Sequence, residues 1–339
     1  MSAMRNRNCN LHQRAGTRGV SLIELLVAVT IGGLLIFGAA KVYVDSRATY
    51  EVNETAARLQ ETARYALSVI EPDIRMSNYW GLVKGALLVT DKASQTAAST
   101  GVAQGCRNNF AHDLERNLEA DNNTYAFGCA AYGAGAVGSS DTLIVRRAST
   151  TPSIGTTGRL RICSTRLIAG LVTDSSGCTA APNGQINDLV VNGYYVDRDS
   201  TQRAGLPSLR RRPLGSVAGV PEFLPDEEII PGIEDMQIQF GIGPWNASSA
   251  ERYVNAGTAI PVDSQQIISV RIWLLVRAEN PEVGFRDNRI YQYGDRSTAT
   301  GTTNDLNAVT AAGRAYAPAD GFRRLLVSRT IHIRNALGT

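Results

Sequence analysis

The chain is poor in the side chains on which most enzymes depend. Only three histidines, His12, His112 and His332, occur in 339 residues, and none stands in a His-Glu-x-x-His pattern. Gly-x-Ser-x-Gly and Gly-x-x-x-x-Gly-Lys-Ser/Thr are missing too, which removes the signatures of a zinc protease, a nucleophile elbow and a phosphate-binding loop. No catalytic residue and no cofactor is therefore expected. Charge is sparse at 19%, and a net charge of +3 is too small to indicate a polyanionic partner. No two of the five cysteines are spaced Cys-x-x-Cys, so a zinc site is disfavoured. The 43% of hydrophobic residues still suffices for a proper core, in one large head or two small ones.

What the sequence does contain is a long apolar run. Val20 to Val44 can cross a hydrocarbon layer of about 30 Å as a helix. Arg5, Arg7, Arg14 and Arg18 precede it without any acid, which keeps the leader cytoplasmic and sends the rest of the chain to the periplasm. Near the start of the run stands Glu24. An ionised carboxylate at bilayer depth costs about 2.5–3.5 kcal/mol on the lenient insertion scale. Lys41 is about 25 Å further along the helix at 1.5 Å per residue, so a partner cation has to come from another chain or from a new amino terminus. An ordinary secretory signal, cut near Ala39-Ala40, would account for the basic leader but not for Glu24.

The segment Arg18-Gly19-Val20-Ser21-Leu22-Ile23-Glu24-Leu25-Leu26 resembles the class III signal peptide of type IV pilins and pseudopilins. That resemblance implies cleavage by a prepilin peptidase between Gly19 and Val20, followed by N-methylation of Val20. Glu24 would become the fifth mature residue, its subunit-assembly role being to pair with the terminal amine of a neighbouring pilin. Most such proteins begin the mature chain with Phe or Met, whereas this one would begin with Val20.

Helical periodicity continues beyond the apolar run. Val52, Ala56, Leu59, Ala63, Ala66 and Ile70 step by fours and threes along one face, with Glu51, Glu54, Arg58, Glu61 and Arg64 between them. Pro72 predicts a helix end at Ile70. A rod from Ser21 to Ile70 would be about 75 Å long. Gly32 and Gly33 each weaken it by about 0.8–1.0 kcal/mol relative to Ala. After Pro72 the patterns become short β-like runs between Gly, Asn, Asp and Pro. Strands are expected at 141–146, 189–196, 229–242, 266–278, 289–293 and 323–334, and loops at 90–105 and 294–313. The organisation so read is a leader at 1–19, a transmembrane or filament-core half-helix at 20–44, an amphipathic half-helix at 45–71 and a β-rich periplasmic head at 72–339. The expected fold class is α+β, a pilin-like long N-terminal helix packed on mainly antiparallel sheet.

With Cys9 in the leader, Cys106, Cys129, Cys163 and Cys178 remain, an even number in an oxidising compartment. Four cysteines allow three pairings. The local pairs Cys106–Cys129 and Cys163–Cys178 are favoured because each closes a segment rich in small residues, worth about 3 kcal/mol per loop in the chain-entropy model. Asp197-Arg198-Asp199 and Pro225-Asp226-Glu227-Glu228 offer oxygen ligands but match no complete calcium loop, and read better as turn residues and a solvated acidic edge. Arg210-Arg211-Arg212 and Arg323-Arg324 read as solvated loop charge rather than a nucleic-acid groove.

Three further segments carry a narrower resemblance: Pro231-Gly232-Ile233-Glu234-Asp235-Met236-Gln237-Ile238-Gln239-Phe240-Gly241, Ile268 to Arg277, and Arg329 to Asn335. With the N-terminal motif they resemble the PilW-type minor pilins, well over the helix, moderately over the last third and thinly from Gly81 to Val220. The resemblance implies a non-catalytic role in type IV pilus assembly, in a priming or tip complex. Its implied partners are other minor and major pilins, the prepilin peptidase and the inner-membrane assembly machinery. Alternatives are a type II secretion pseudopilin, an adhesin or DNA-capture subunit using the Gly81 to Val220 region, and a signal-anchored periplasmic enzyme. The first expectation to test is processing. Mass spectrometry of the membrane-extracted protein should find Val20 at the amino terminus, and a chain beginning near Lys41 would contradict the pilin reading.

Overall fold

The computed structural model describes residues 19–92, 106, 110–153, 158–173, 184–261, 264–298, 301–306 and 314–336. They fall in two compact units, Met1–Glu54 and Thr55–Thr339, each considered by itself. A single helix, α1 at Leu22–Arg75, contributes to both.

In the first unit α1 is unbroken through Gly32 and Gly33, and a side chain built at either would meet open space. The large aliphatics there face outward, with Leu22, Leu34 and Ile36 each more than 70% exposed. A surface of this kind is stable only against lipid or protein.

The second unit is built on the other part of α1. Leu59, Ala63, Ala66 and Ile70 are buried, as their spacing implies, while Ala56 is exposed and Val52 half-buried, so the buried stripe begins later than expected. It also ends later. The helix passes through Pro72 to Arg75, beyond the expected end at Ile70. Proline removes one backbone donor and crowds the carbonyl of Ser68, but Ser68 is on the exposed side, where water can serve that carbonyl. The last turn is held from outside: Ile74 enters the core and Asp73 is bonded to two strands.

In chain order the strands are β1 (Tyr79–Trp80), β2 (Val83–Lys84), β3 (Val89–Thr90), β4 (Leu118–Asp121), β5 (Thr142–Pro152), β6 (Arg161–Ser164), β7 (Ala169–Val172), β8 (Gln185–Asp197) and β9 (Ser208–Val217). There follow β10 (Val220–Phe223), β11 (Glu227–Pro231), β12 (Ile233–Pro244), β13 (Arg252–Asn255), β14 (Gln265–Arg277), β15 (Gly301–Thr303), β16 (Arg314–Tyr316) and β17 (Arg324–His332). Among the described residues, β3 to β11 form a nine-stranded sheet, antiparallel except where β3 joins β7. A four-stranded antiparallel sheet has the order β13-β12-β14-β17. The fold is therefore α+β, a long N-terminal helix packed on mainly antiparallel sheet.

Two cores share the nine-stranded sheet. Leu143, Val145 and Tyr194 face a core with α1, β12 and β14, while Ile144 and Tyr195 face a second core with Trp80, Phe110 and Phe127. Burial on both faces explains why β5 and β8 read as continuous apolar runs rather than alternating ones. Gly193 is needed here, since a Cβ would lie 2.8 Å from the Phe127 ring.

The expected strand at 229–242 is two strands. Gly232, at φ +90°, turns the chain so that β11 joins β9 in the large sheet and β12 enters the four-stranded one. Glycine adopts that backbone region without strain. The expected strand at 289–293 is extended but unladdered, with a single bridge between Tyr291 and Tyr316. Its alternation serves a local polar cluster instead, in which Arg289 Nε and the Tyr291 hydroxyl donate to the Asp287 carboxylate at 2.8 and 2.7 Å. Within the expected loop at 294–313 lie β15 and, just after, its parallel partner β16. Residues 93–105, 299–300 and 307–313 of the two expected loops are outside the described residues.

Asp73 binds the helix to the large sheet. Its Oδ1 accepts from Arg147 Nε and Nη2 at 3.0 and 2.7 Å, and its Oδ2 accepts from Asn192 Nδ2 and the Tyr194 hydroxyl, both at 2.6 Å. Asp141 binds the two sheets together. Its carboxylate accepts the backbone N–H groups of Asn123 at 2.9 Å and Ile238 at 2.7 Å, while its own N–H donates to the Met236 carbonyl. Burial holds the Asp141 carboxyl well above the usual aspartate range, against the pull of those two donors.

Two outcomes follow from this polar framework. Asp73→Ala leaves Arg147, Asn192 and Tyr194 without their acceptor, and thermal unfolding should report a loss of about 3–5 kcal/mol. For Asp141 the folded chain retains a proton that the unfolded chain has released above the ordinary value of 3.8. Stability should accordingly fall as pH rises above about 4, until Asp141 ionises in the folded state as well. Asp141→Asn cannot ionise, so denaturant titrations across that range should give a flatter profile than the wild-type protein.

Candidate assembly site

Gly19 and Val20 directly precede α1 and both are exposed, Val20 at 73%. Such exposure would leave the Gly19–Val20 bond, the expected cleavage position, open to a peptidase. Glu24 is in the first helical turn, where the positive end of the helix dipole favours a carboxylate. Its Oε2 accepts the backbone N–H of Ser21 at 3.0 Å, and Ser21 Oγ accepts the N–H of Ile23 at 3.2 Å. Glu24 makes the back-reaching half of a capping box, three residues after Ser21, while the Ser21 hydroxyl caps the N–H of Ile23 rather than that of Glu24. Ser21 is thus a site residue that the charge argument alone overlooked. The Ser-x-x-Glu spacing before an apolar run was the signal that marks it.

The cysteines lie in the second unit. Cys106 and Cys129 are joined as a disulfide across 23 residues, beside the core that contains Phe110 and Phe127. Cys163 is in β6 and is also disulfide-bonded, while Cys178 lies outside the described residues.

The charged clusters differ from expectation. Arg210-Arg211-Arg212 is not solvated loop charge; it is part of β9, and Arg210 is only 2% exposed. Nor is Asp226-Glu227-Glu228 a solvated acidic edge. Gly219, at φ +80°, turns the chain back after β9, and this brings the two clusters together. Arg210 pairs with Asp226 at 2.6 Å and Glu228 at 3.3 Å, Arg212 with Asp226 at 3.6 Å, and Arg211 with Glu227. The Arg210 guanidinium also covers the Tyr132 ring at 3.8 Å. Arg323-Arg324 is equally far from solvated loop charge. Arg324, in β17, is bonded to Glu234 and Asp320, and Arg323 pairs with Glu282. Asp199 is a turn residue, accepting the N–H groups of Ala134 and Gly205 at 2.9 and 2.7 Å. Asp197 is fully buried, and burial raises its carboxyl above the usual range.

His112 is buried, which depresses its imidazole pKa, and His332 is exposed on β17. The three head segments singled out in the sequence become neighbours. Ile233 to Gly241 is in β12, Ile268 to Arg277 is in β14, and Arg329 to His332 is in β17, adjacent strands of one sheet.

Residues 193–335 match the family model of the type IV pilus-assembly protein W, and residues 14–40 match that of the prokaryotic N-terminal methylation motif. Among solved structures, a type IV-like pilin from Thermus thermophilus is similar at 11% identity, over 83% of this chain and 98% of its own, with a TM-score of 0.37. No curated protein matches the chain. The first match contains β9 to β17 and the second contains Gly19, Val20 and Glu24, so the chain carries a PilW-type region together with a prepilin-type N-terminal methylation motif.

Proposed function

We propose that this protein is a minor pilin that takes part in type IV pilus assembly as a structural subunit of a priming or tip complex. One observation carries the reading: a prepilin-type motif and a pilus-assembly protein W region occur in the same chain. On this reading the prepilin peptidase cuts between Gly19 and Val20, Val20 is methylated, and the apolar part of α1 resides first in the inner membrane and then in the filament. The head faces the periplasm, where the four cysteines are oxidised. The partners are other minor and major pilins and the inner-membrane assembly machinery.

The capping geometry sharpens the role of Glu24. An exposed carboxylate that already accepts one backbone N–H has lone pairs left for a cation. The terminal amine of a neighbouring subunit would supply that cation and offset the cost of the charge at bilayer depth. Charge and capping can be separated. Glu24→Ala removes both and should insert normally but lose partner co-purification and most surface pili. Glu24→Gln retains an oxygen that can reach the Ser21 amide but not the charge, and should recover only part of the piliation. Electron microscopy of the cell surface reads both. Wild-type piliation in Glu24→Ala would refute the assembly role, and full recovery by Glu24→Gln would assign it to capping alone.

A further inference from the structure

β17 closes one side of the four-stranded sheet, and among the described residues it is the longest strand with a partner on one side only. Its bonds to β14 can be assigned by parity. Antiparallel strands exchange hydrogen bonds between opposite residues at every second position. The Ile333 N–H donates to the Ile268 carbonyl at 2.9 Å and the Ala278 N–H to the Arg323 carbonyl at 2.8 Å, and the pairing between these two bonds runs without a shift of register. Odd-numbered residues from Arg323 to Ile333 are therefore the ones bonded to β14. The N–H and C=O groups of the even-numbered residues point the other way, off the sheet.

The chain caps both ends of that outward row. The Arg324 carbonyl accepts from Arg289 Nη2 at 2.9 Å, and the Arg334 N–H donates to the Arg75 carbonyl at 2.9 Å. Between them, the outward backbone groups of Leu326, Ser328 and Thr330 have no partner among the described residues, and Ser328, Arg329 and Thr330 are exposed. Sheet edges are ordinarily blunted by short length, proline, lysine or a bulge. The nine residues of β17 include neither proline nor lysine and carry no bulge against β14. The other one-sided strands of the two large sheets, β3, β4, β10, β11 and β13, have two to five residues.

The chemistry of the row specifies what covers it. Donors and acceptors that recur at about 7 Å, every second residue, are matched by another extended backbone. Charge argues against a second copy as the source. Arg329, though paired with Glu71 at 3.3 Å, is 53% exposed. Two antiparallel registers bond both Ser328 and Thr330 within the open row of a second copy. Pairing Ser328 with Thr330 sets Arg329 opposite Arg329, and pairing Ser328 with Ser328 sets the two on a diagonal, where like charges repel. We propose that the free edge of β17 is a strand-addition site, which takes an extended segment of a different pilin-type subunit along Leu326–Thr330. The added strand runs antiparallel, as every pair in this sheet does, and carries no cation opposite Arg329. This rests on the assembly reading, and it adds a backbone contact in the head to the side-chain contact at Glu24.

The test uses the full chain in detergent, alone and in complex with the pilin-type subunits of its own cell. Amide exchange is resolved to single residues by mass spectrometry with electron-transfer fragmentation. In the complex the amides of Leu326, Ser328 and Thr330 should exchange at least tenfold more slowly, while those of Leu325, Val327 and Arg329, already bonded to β14, should not change. Ser328→Pro deletes an outward N–H without touching the bonds to β14, so it should melt like wild type and bind at least tenfold more weakly. Ser328→Ala retains that N–H and should bind like wild type. Unchanged exchange in the complex, equal slowing of odd and even amides, or slow even amides already in the isolated chain would overturn the assignment, and the wild-type pattern decides this even where the proline variant does not fold. Slowing on self-association alone would overturn the choice of a different subunit. If the wild-type chain forms no complex with pilin-type subunits, both readings fail. If it does and a folded Ser328→Pro binds equally well, only strand addition fails.

Discussion

The head depends on how the end of α1 is held. A proline three residues before a helix terminus would ordinarily favour an earlier stop. Here the Asp73 carboxylate, with four donors from Arg147, Asn192 and Tyr194, locks the last turn against β5 and β8. The four-stranded sheet grips the same turn by other contacts: Arg329 of β17 pairs with Glu71 at 3.3 Å, and the Arg334 N–H donates to the Arg75 carbonyl at 2.9 Å. Asn78 and Asn335, 257 residues apart, are joined by a hydrogen bond. The helix end is thus the point where both sheets and the C-terminal strand close on one another. Closing loops of that length costs chain entropy that the contacts at the helix end must offset.

That closure explains what could be read from the sequence. The period of α1 revealed Leu59, Ala63, Ala66 and Ile70 because helical spacing is a local property. The apolar runs of β5, β8, β12, β14 and β17 were legible for the same reason. The helix end was not, since Pro72 is overridden by the bonds that Asp73 accepts from Arg147 and Tyr194, 74 and 121 positions away from it. At 289–293 the alternation was real, but it placed Asp287, Arg289 and Tyr291 on one side of an extended segment for bonds to one another rather than to a neighbouring strand. Periodicity shows that side chains share a face without showing what the face meets.

Charge was the least legible property. Three consecutive arginines in β9 and three consecutive acids around β11 each appear solvated when taken alone. Folding pairs them, with Arg210 placed between Asp226, Glu228 and the Tyr132 ring. Burial of Arg210 is tolerable only because those partners arrive together, since an isolated buried ion costs several kcal/mol. The guanidinium of Arg324 is satisfied in the same manner by Glu234 and Asp320. These arginines are therefore components of the scaffold, and their charge is not available to a polyanion.

Glu24 shows the converse case, in which a local bond leaves a charge available. The sequence marked it as an expense in need of a cation, and the structure adds that its first partner is the Ser21 amide of its own helix. Capping fixes the carboxylate at the helix mouth without neutralising it, so the site has an orientation before any partner arrives. Under the proposed processing, the new amine of Val20 would form one residue from the amide that Glu24 already holds. Each subunit would then carry a positioned anion and a cation at the same helix end. Self-pairing satisfies one chain, whereas exchange between chains satisfies both and also buries the apolar faces of their helices. In the bilayer lipid already covers Leu34 and Ile36, so burial would favour exchange only where the helix leaves lipid for a filament.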